Sequence, residues 1–193
     1  MGRLVLILGG ARSGKSSYAQ RLAAERSGRV IYIATAKALD AEMEARIAIH
    51  RSERPGHWQT VELPAHIGHD IQEFLHLAEL VLLDCLTMLV TNLILEASPD
   101  EEEPDEQAAT QAVETEIESL SSAIKEGAAD WIIVSNEVGL GLVPPYPLGR
   151  LFRDLLGRAN KRLAQEADEV YWMVAGIPIP IHTFRLANGQ PGT

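Results

Sequence analysis

Eight residues near the beginning of the chain have the spacing of a phosphate-binding loop. The motif G-x-x-x-x-G-K-[ST] is fitted by Gly9, Gly10, Ala11, Arg12, Ser13, Gly14, Lys15 and Ser16. In such a loop the glycines let backbone N–H groups surround phosphate oxygens, the lysine reaches the β- and γ-phosphates, and the last hydroxyl holds Mg²⁺. An apolar segment precedes the motif and an amphipathic segment follows it, which is the strand–loop–helix context that this chemistry requires. We predict that Lys15 acts on a nucleoside triphosphate and that Ser16 binds Mg²⁺; the alternative is a glycine-rich turn without a nucleotide.

A carboxylate at the end of a second apolar run could complete the metal site. Asp84 directly follows Leu-Val-Leu-Leu at residues 80–83. Proteins with this loop commonly hold the Mg²⁺ shell with an acid at the end of a core strand. We therefore predict that Asp84 is a second Mg²⁺ ligand. The alternative is an aspartate that only caps the following helix.

The segment around His50 combines a possible nucleophile with three arginines. Arg46, Arg51 and Arg54 flank His50 near the end of a predicted helix, which Pro-Gly at residues 55–56 terminates. Arginines suit a phosphate pocket, and a neutral imidazole is a competent nucleophile near neutral pH. From these residues alone, a covalent role for His50 and a solvated basic helix end remain alternatives, because the helix dipole also favours cations there.

The elements that must position these groups alternate along the chain. Apolar runs of strand length occupy residues 4–8, 30–34, 80–83, 131–135 and 170–174. Amphipathic helices are predicted over residues 16–26, 40–51, 65–79, 86–97, 106–125 and 148–167. Continuous apolar strands that alternate with helices are typical of a parallel sheet covered on both faces. We predict one α/β domain over residues 1–193, a doubly wound, mostly parallel P-loop NTPase fold of RecA-like type.

The formal net charge of −10 is concentrated in one segment. The chain of 193 residues has 27 acids and 17 lysines and arginines. Residues 96–126 contain 11 of the acids and one base, so the rest of the chain is formally neutral. We predict that this segment is solvated and peripheral, with a flexible acidic loop over residues 98–106, and that the tail at 183–193 is frayed. The net charge disfavours nucleic-acid binding, but it does not oppose a site for one triphosphate.

The cysteine content and the length of the apolar runs indicate the compartment. The single cysteine, Cys85, excludes an intrachain disulfide, and no apolar run approaches the ~18 residues of a membrane span. We therefore expect a cytoplasmic protein without a membrane span.

A metal site is suggested by the helical spacing of His66, His69, Glu73 and His76. On a helix these side chains would lie opposite the apolar stripe, so we predict a solvated face instead.

Longer motifs are more specific than the phosphate-binding loop. They include Tyr-Ile-Ala-Thr-Ala at residues 32–36, the segment 45–58 around His50, and Ser-Asn-Glu-Val-Gly at residues 135–139. The pair Asn136-Glu137 follows a predicted strand, at the edge where doubly wound sheets bind ligands. Together these motifs resemble the bifunctional adenosylcobinamide kinase / adenosylcobinamide-phosphate guanylyltransferase family of cobalamin biosynthesis, over residues 4–181.

This resemblance implies two reactions and assigns residues to them. In the first, ATP or GTP phosphorylates the aminopropanol hydroxyl of adenosylcobinamide; in the second, GMP passes from GTP through a guanylylated histidine to adenosylcobinamide phosphate, giving adenosylcobinamide-GDP. The guanylylated histidine of the family falls on His50. Besides the phosphate-binding loop, the family's nucleotide contacts fall on Ala34, Thr35, Ala36, Arg51, Ser52, Glu53, Arg54, Glu62 and Asp84. The resemblance also implies a homo-oligomer, a trimer.

Two other functions are compatible with a phosphate-binding loop. A plain small-molecule kinase would transfer the γ-phosphate and use His50 only as a phosphate contact. A RecA-like ATPase module would couple the nucleotide to assembly or DNA binding, but the sequence has no basic tract or aromatic cluster for DNA. Covalent labelling by α-labelled GTP separates the guanylyltransferase from both.

Overall fold

A seven-stranded sheet forms the centre of the protein. The computed structural model describes residues 2–37, 48, 51–52, 54–100 and 102–184. The strands are β1 (Leu4–Gly9), β2 (Val30–Ala34), β3 (Gln59–Glu62), β4 (Leu80–Asp84), β5 (Asp130–Val134), β6 (Glu169–Val174) and β7 (Ile177–Pro180). All five strands predicted from apolar runs are confirmed. The sequence did not indicate β3 and β7, because these short strands are half-exposed and lack a continuous buried run.

The strand order β3-β2-β4-β5-β1-β6-β7 determines which strand ends are neighbours. Every neighbouring pair is parallel except β6 with β7, which is antiparallel. Strand β5 lies between β1, which leads into the phosphate-binding loop, and β4, which ends at Asp84. The mostly parallel sheet with flanking helices confirms the predicted α/β fold class.

Four of the predicted helices agree with the structure to within one residue at each end. The α-helices with bounds among the described residues are α1 (Lys15–Arg26), α2 (Ile67–Asp70), α3 (Leu86–Ala97), α4 (Glu106–Glu126) and α5 (Pro147–Glu166). Their starts have local causes: Gly14 takes a left-handed conformation before α1, the Asp105 carboxylate accepts the N–H of Ala108 at α4, and proline opens α5. Most of the helix predicted at 40–51 lies outside the described residues.

The prediction of one helix over residues 65–79 is wrong. Helix α2 is short and is followed by two 3₁₀ turns, Ile71–Glu73 and Leu75–Leu77. Gly68, inside α2, packs closely on α4: a Cβ there would collide with Ser119 Oγ, and the Gly68 N–H donates to Glu116 Oε1 over 3.1 Å. The backbone of α2 is thus held by α4. Beyond α2 the backbone hydrogen bonds tighten to three-residue spacing, with Phe74 N–H donating to Ile71 O and Leu77 N–H donating to Phe74 O. The solvated-face interpretation is nevertheless consistent with the exposed side chains of His66, His69, Glu73 and His76.

Each face of the sheet has its own apolar core, because successive side chains alternate between the faces. On one face, Leu6, Leu83 and Trp131 belong to a cluster with the apolar sides of α3, α4 and α5. On the other, Ile7 and Tyr32 belong to a cluster with α1. Burial on both faces explains why the central strands read as continuous apolar runs.

The sequence predicted that the whole acidic segment is solvated, and this prediction is wrong for one of the acids that the structure describes. Glu116, in the middle of α4, is only 5% exposed. Its carboxylate is turned toward α2, where it accepts the hydrogen bond from the Gly68 N–H described above. The remaining described acids of α4 are exposed. Among the described residues, no helix combines the length and the apolarity needed to cross a membrane.

Candidate functional site

The carboxyl ends of the parallel strands form a row that borders a cleft. Strand register aligns Glu62 with Ala34, Ala34 with Asp84, and Asp84 with Val134. All four residues line one cleft of about 780 Å³, together with residues 11–16 and Asn136. This volume is in the range of small-molecule sites. The strands therefore bring the two acids and the phosphate-binding loop, which are far apart in sequence, to one place.

The phosphate-binding loop is held from both sides. Gly9 has a φ of 153° and lies so close to β6 that a Cβ there would be 2.7 Å from Met173 O. The carbonyl of Gly9 accepts the N–H of Glu137, and the carbonyl of Ser13 accepts the N–H of Gly176, both over 3.0 Å. Glycine is thus required at position 9 by close approach of a neighbouring strand, before any ligand binds. Residues 11–16 face the cleft.

Lys15 lies at the start of α1 with its amine turned back into the loop. Its Nζ donates to Gly10 O over 2.7 Å, and the residue is 7% exposed. Burial lowers the pKa of Lys15, while the nearby Asp84 carboxylate acts in the opposite direction and favours the charged amine. Among the residues that the structure describes, the amine therefore has one neutral partner, which a phosphate could replace, and the N-terminus of α1 adds its positive dipole.

Asp84 uses both carboxylate oxygens within the cleft. Oδ1 accepts the Ser16 hydroxyl over 3.3 Å and Oδ2 accepts the Tyr32 hydroxyl over 2.7 Å. The N-cap of α3 is Cys85 rather than Asp84, and the hydrogen bonds described for the Asp84 carboxylate come from Ser16 and Tyr32. The capping alternative for Asp84 is therefore wrong. A carboxylate next to a hydroxyl is an oxygen donor set of the kind Mg²⁺ prefers, and these two residues fit that metal.

Arg54 borders the cleft and contacts the same tyrosine. Its guanidinium carbon lies 3.5 Å from the centroid of the Tyr32 ring. Its Nε is buried and, among the described residues, has no hydrogen-bond partner, while Nη1 contacts Thr60 Oγ1 at 3.5 Å. A guanidinium with an unsatisfied buried N–H is a good candidate for binding an anion.

The other predicted residues of the His50 segment are more exposed or are not described. Arg51 pairs with Glu62 at 3.4 Å, and both side chains are exposed to about two thirds, at 64% and 68%. Ser52 is also exposed. His50 and Glu53 lie outside the described residues, so their assigned roles stay predictions.

Thr35 differs from its neighbours in the motif at residues 32–36. Ala34 and Ala36 line the cleft, whereas Thr35 is fully buried. The Thr35 hydroxyl accepts the Cys85 N–H and donates to the Cys85 carbonyl, both over 2.8 Å. Its side chain therefore joins β2 to the residue after Asp84. Burial raises the pKa of the Cys85 thiol to about 11, so it is neutral at physiological pH.

Three buried polar residues that were given no role in the sequence analysis hold the edge of the cleft. Thr87 Oγ1 accepts the Asn136 N–H over 2.8 Å, and Asn160 Nδ2 donates to the Asn136 carbonyl over 3.0 Å. Asn92 Nδ2 bonds to the carbonyls of Thr35 and Pro64. Each of them is a polar residue on the otherwise apolar face of α3 or α5, and this is the signal that could have identified them. A buried polar side chain normally makes a hydrogen bond, here to a backbone N–H or carbonyl group.

Comparison with known proteins gives consistent results over most of the chain. A family model described as "Cobinamide kinase / cobinamide phosphate guanyltransferase" matches residues 5–181. The chain is 46% identical over 181 residues to the bifunctional adenosylcobalamin biosynthesis protein CobU of Escherichia coli, covering 92% of this chain and 99% of the relative. CobU of Salmonella typhimurium is 44% identical, with 92% and 99% coverage. CobP of Pseudomonas aeruginosa, also described as a bifunctional adenosylcobalamin biosynthesis protein, is 43% identical, with 91% and 95% coverage.

Proposed function

Because this chain belongs to the cobinamide kinase / cobinamide phosphate guanyltransferase family, we propose that it is a bifunctional transferase that acts twice on one corrinoid. It first phosphorylates adenosylcobinamide with ATP or GTP. It then transfers GMP from GTP to adenosylcobinamide phosphate, giving adenosylcobinamide-GDP. The observation that carries the proposal is the joining of the phosphate-binding loop to Asp84 by the Ser16 hydroxyl, beside the buried Lys15 amine.

In the kinase step, an acceptor hydroxyl oxygen forms a bond to the γ-phosphorus. The bond from that phosphorus to the β–γ bridging oxygen breaks, a nucleoside diphosphate leaves, and the hydroxyl proton passes to solvent. Such a transfer depends on positioning and on charge neutralisation. Lys15 exchanges Gly10 O for phosphate oxygens, and the amides of the loop at residues 11–16 surround the triphosphate.

Mg²⁺ is the metal we assign to this site. Ser16 Oγ and Asp84 Oδ1 would hold it, and when bound it neutralises charge on the β- and γ-phosphates. Asp84 is anchored by Tyr32 and Ser16 is anchored in α1, so both oxygen donors are held in place before a nucleotide arrives.

In the guanylyltransferase step, we assign the nucleophile to His50. An imidazole nitrogen forms a bond to the α-phosphorus of GTP, and pyrophosphate leaves. A phosphate oxygen of adenosylcobinamide phosphate then attacks the same phosphorus, and the bond from phosphorus to nitrogen breaks. Arg54, four residues after His50, lines the cleft, which supports a position of this segment beside the nucleotide.

Labelling with GTP that carries ³²P in its α-phosphate tests the histidine. We expect the wild type with Mg²⁺ to form an acid-labile, base-stable adduct that adenosylcobinamide phosphate discharges, and His50→Ala to form none. His69→Ala is the matched control, because His69 is an exposed histidine of α2 that does not line the cleft. Label on His50→Ala equal to the wild type overturns the covalent step. Transfer of the γ-phosphate without any adduct in the wild type would identify a plain kinase.

Two parts of the prediction concern the surroundings of the enzyme. The homo-oligomeric, trimeric state implied by the resemblance stays a prediction, and sedimentation of the purified protein tests it. We also assign the reactions to the cytoplasm, where nucleoside triphosphates are available as substrates.

A further inference from the structure

Tyr32 connects two groups that the proposed function uses for different purposes. Its hydroxyl donates to Asp84 Oδ2 over 2.7 Å, and its ring lies 3.5 Å from the guanidinium carbon of Arg54. Asp84 belongs to the metal site, whereas Arg54 belongs to the segment that carries His50. One side chain of β2 thus contacts both halves of the cleft.

The hydroxyl contact determines which oxygen of Asp84 is available. Because Oδ2 is occupied by Tyr32, the carboxylate presents Oδ1 to Ser16. Without the tyrosine hydroxyl, rotation about the last side-chain torsion of Asp84 would be less restricted, since that torsion has a broad profile. A phenol is also neutral: burial and the nearby Asp84 carboxylate raise its pKa, so it orients the acid without cancelling its charge.

The ring contact determines where the guanidinium of Arg54 lies. Tyr32 is 1% exposed, so its ring is fixed by the apolar core between β2 and α1. A cation over the face of such a ring is attracted by its quadrupole, most strongly where water is excluded. The Arg54 guanidinium also lies near the Tyr32 hydroxyl, and its contact with Thr60 Oγ1, at 3.5 Å, is long. The ring is therefore a firmer support than Thr60.

We propose that Tyr32 is a positioning residue shared by both reactions: its hydroxyl orients Asp84 toward the metal position, and its ring holds Arg54 at the wall of the nucleotide cleft. This inference rests on the proposed function, because it assumes that the cleft binds a nucleotide with Mg²⁺. Two variants test the two contacts: Tyr32→Phe removes the hydroxyl, which lies near both Asp84 and Arg54, but keeps the ring, whereas Tyr32→Leu removes the ring as well.

Calorimetric titration with a GTP analogue in which CH₂ replaces the α–β bridging oxygen, in Mg²⁺ and in EDTA, tests the two contacts without transfer of GMP to His50. For Tyr32→Phe we expect metal-free affinity within about 2-fold of the wild type, because the Arg54 support persists. We expect the gain in affinity on adding Mg²⁺ to shrink about 10- to 100-fold, the usual effect of losing a residue that orients a metal ligand. For Tyr32→Leu we expect metal-free affinity to fall as well, by about 2- to 30-fold.

Tyr171→Phe is the matched control. It removes a tyrosine–carboxylate hydrogen bond of the same 2.7 Å length, from Tyr171 to Glu169 on β6, outside the cleft. An unchanged Mg²⁺ response in Tyr32→Phe overturns the role of the hydroxyl, as does an equal loss in Tyr171→Phe. Equal metal-free affinities of Tyr32→Phe and Tyr32→Leu overturn the role of the ring. Failure of the wild type itself to bind this analogue in Mg²⁺ would instead contradict the proposed function.

Discussion

The Ser16 hydroxyl donates a hydrogen bond to Asp84 Oδ1 over 3.3 Å, and this contact joins the first turn of α1 to the carboxyl end of β4. The two residues are 68 positions apart in sequence. In the sheet, β5 separates β4 from β1, the strand that leads into the phosphate-binding loop. The contact therefore depends on strand order and on the position of the phosphate-binding loop at the sheet edge. It also predicts how each residue contributes to metal-dependent transfer.

Asp84→Asn should lower both transfer reactions by about 100-fold or more, since it removes a charge from the position where Mg²⁺ would bind but keeps the shape. Steady-state rates at several Mg²⁺ concentrations measure the loss, and extra Mg²⁺ should restore it only in part. Glu79→Gln is the control, because Glu79 directly precedes β4 at the opposite end and pairs with Arg29 at the surface. Wild-type rates in the Asp84→Asn variant would contradict the metal role of Asp84.

Gly9→Ala should destabilise the fold even in the absence of nucleotide. Its Cβ would lie 2.7 Å from the Met173 carbonyl, and its φ of 153° is rare for residues with a side chain. We expect a loss of about 1–3 kcal/mol in the free energy of unfolding, measured by urea denaturation. Gly10→Ala is the control for stability, because a Cβ there would meet nothing within 4 Å. Equal stabilities of the two variants would show that contact with β6 does not restrict position 9.

Glu116 should make the protein less stable as the pH rises. Burial raises the pKa of this carboxyl, although the Gly68 N–H and His66 act in the opposite direction. The folded protein therefore binds the proton more tightly than the unfolded chain does. The stability from this group is fully present below the unfolded pKa, near 4.5, and is lost as the pH rises through the folded value.

Glu116→Gln removes this titration. The free energy of unfolding of the variant, relative to that of the wild type, should therefore increase as the pH rises from 4 to neutral. The slope is at most about 1.4 kcal/mol per pH unit over the affected interval. Denaturation at a series of pH values measures the difference. Glu118→Gln, at an exposed position of the same helix, controls for the loss of one negative charge. A difference between Glu116→Gln and wild type that does not vary with pH argues against this account.

The sequence predicts those parts of the site that depend on consecutive residues. The phosphate-binding loop is a local motif, and its strand and helix follow from periodicity, so residues 11–16 are found in the cleft as expected. The position of Asp84 at the cleft was also predictable, because an acid that directly follows an apolar run lies at the end of a strand. Its role as a metal ligand stays a prediction. Tyr32 was not predictable, because its side chain reads as one more apolar residue of a buried strand. The role that we propose for it depends on β2 lying next to β4, which pairs Ala34 with Asp84.

The failures in the fold have a similar cause. The helix predicted over residues 65–79 has suitable periodicity, but the periodicity does not show that Gly68 packs on α4 and donates its N–H to Glu116, which fixes the position of α2. The same contact explains why one acid of a segment with a high negative charge is buried. Charge counting along the sequence locates the acidic segment, but it does not show which carboxylate has a backbone partner.

The acidic loop between α3 and α4 is closed at its base. The Asp105 N–H donates to Ser98 Oγ over 2.7 Å, and the Asp105 carboxylate caps α4 through the Ala108 N–H. The two ends of residues 99–104 are therefore neighbours in space. None of the described residues of this loop lines the cleft beside the phosphate-binding loop.

Deletion of residues 99–104, with Ser98 joined directly to Asp105, should leave guanylylation by α-labelled GTP within about 2-fold of the wild type, because the ends already meet and shortening a surface loop changes closure entropy little. Thermal unfolding should show one transition near that of the wild type. A second variant, with a Gly/Ser segment of equal length in place of residues 99–104, separates chain length from charge. Loss of labelling in both variants, with both still folded, would assign the acidic residues to the site; loss in the deletion alone would show that α3 and α4 need the full connection.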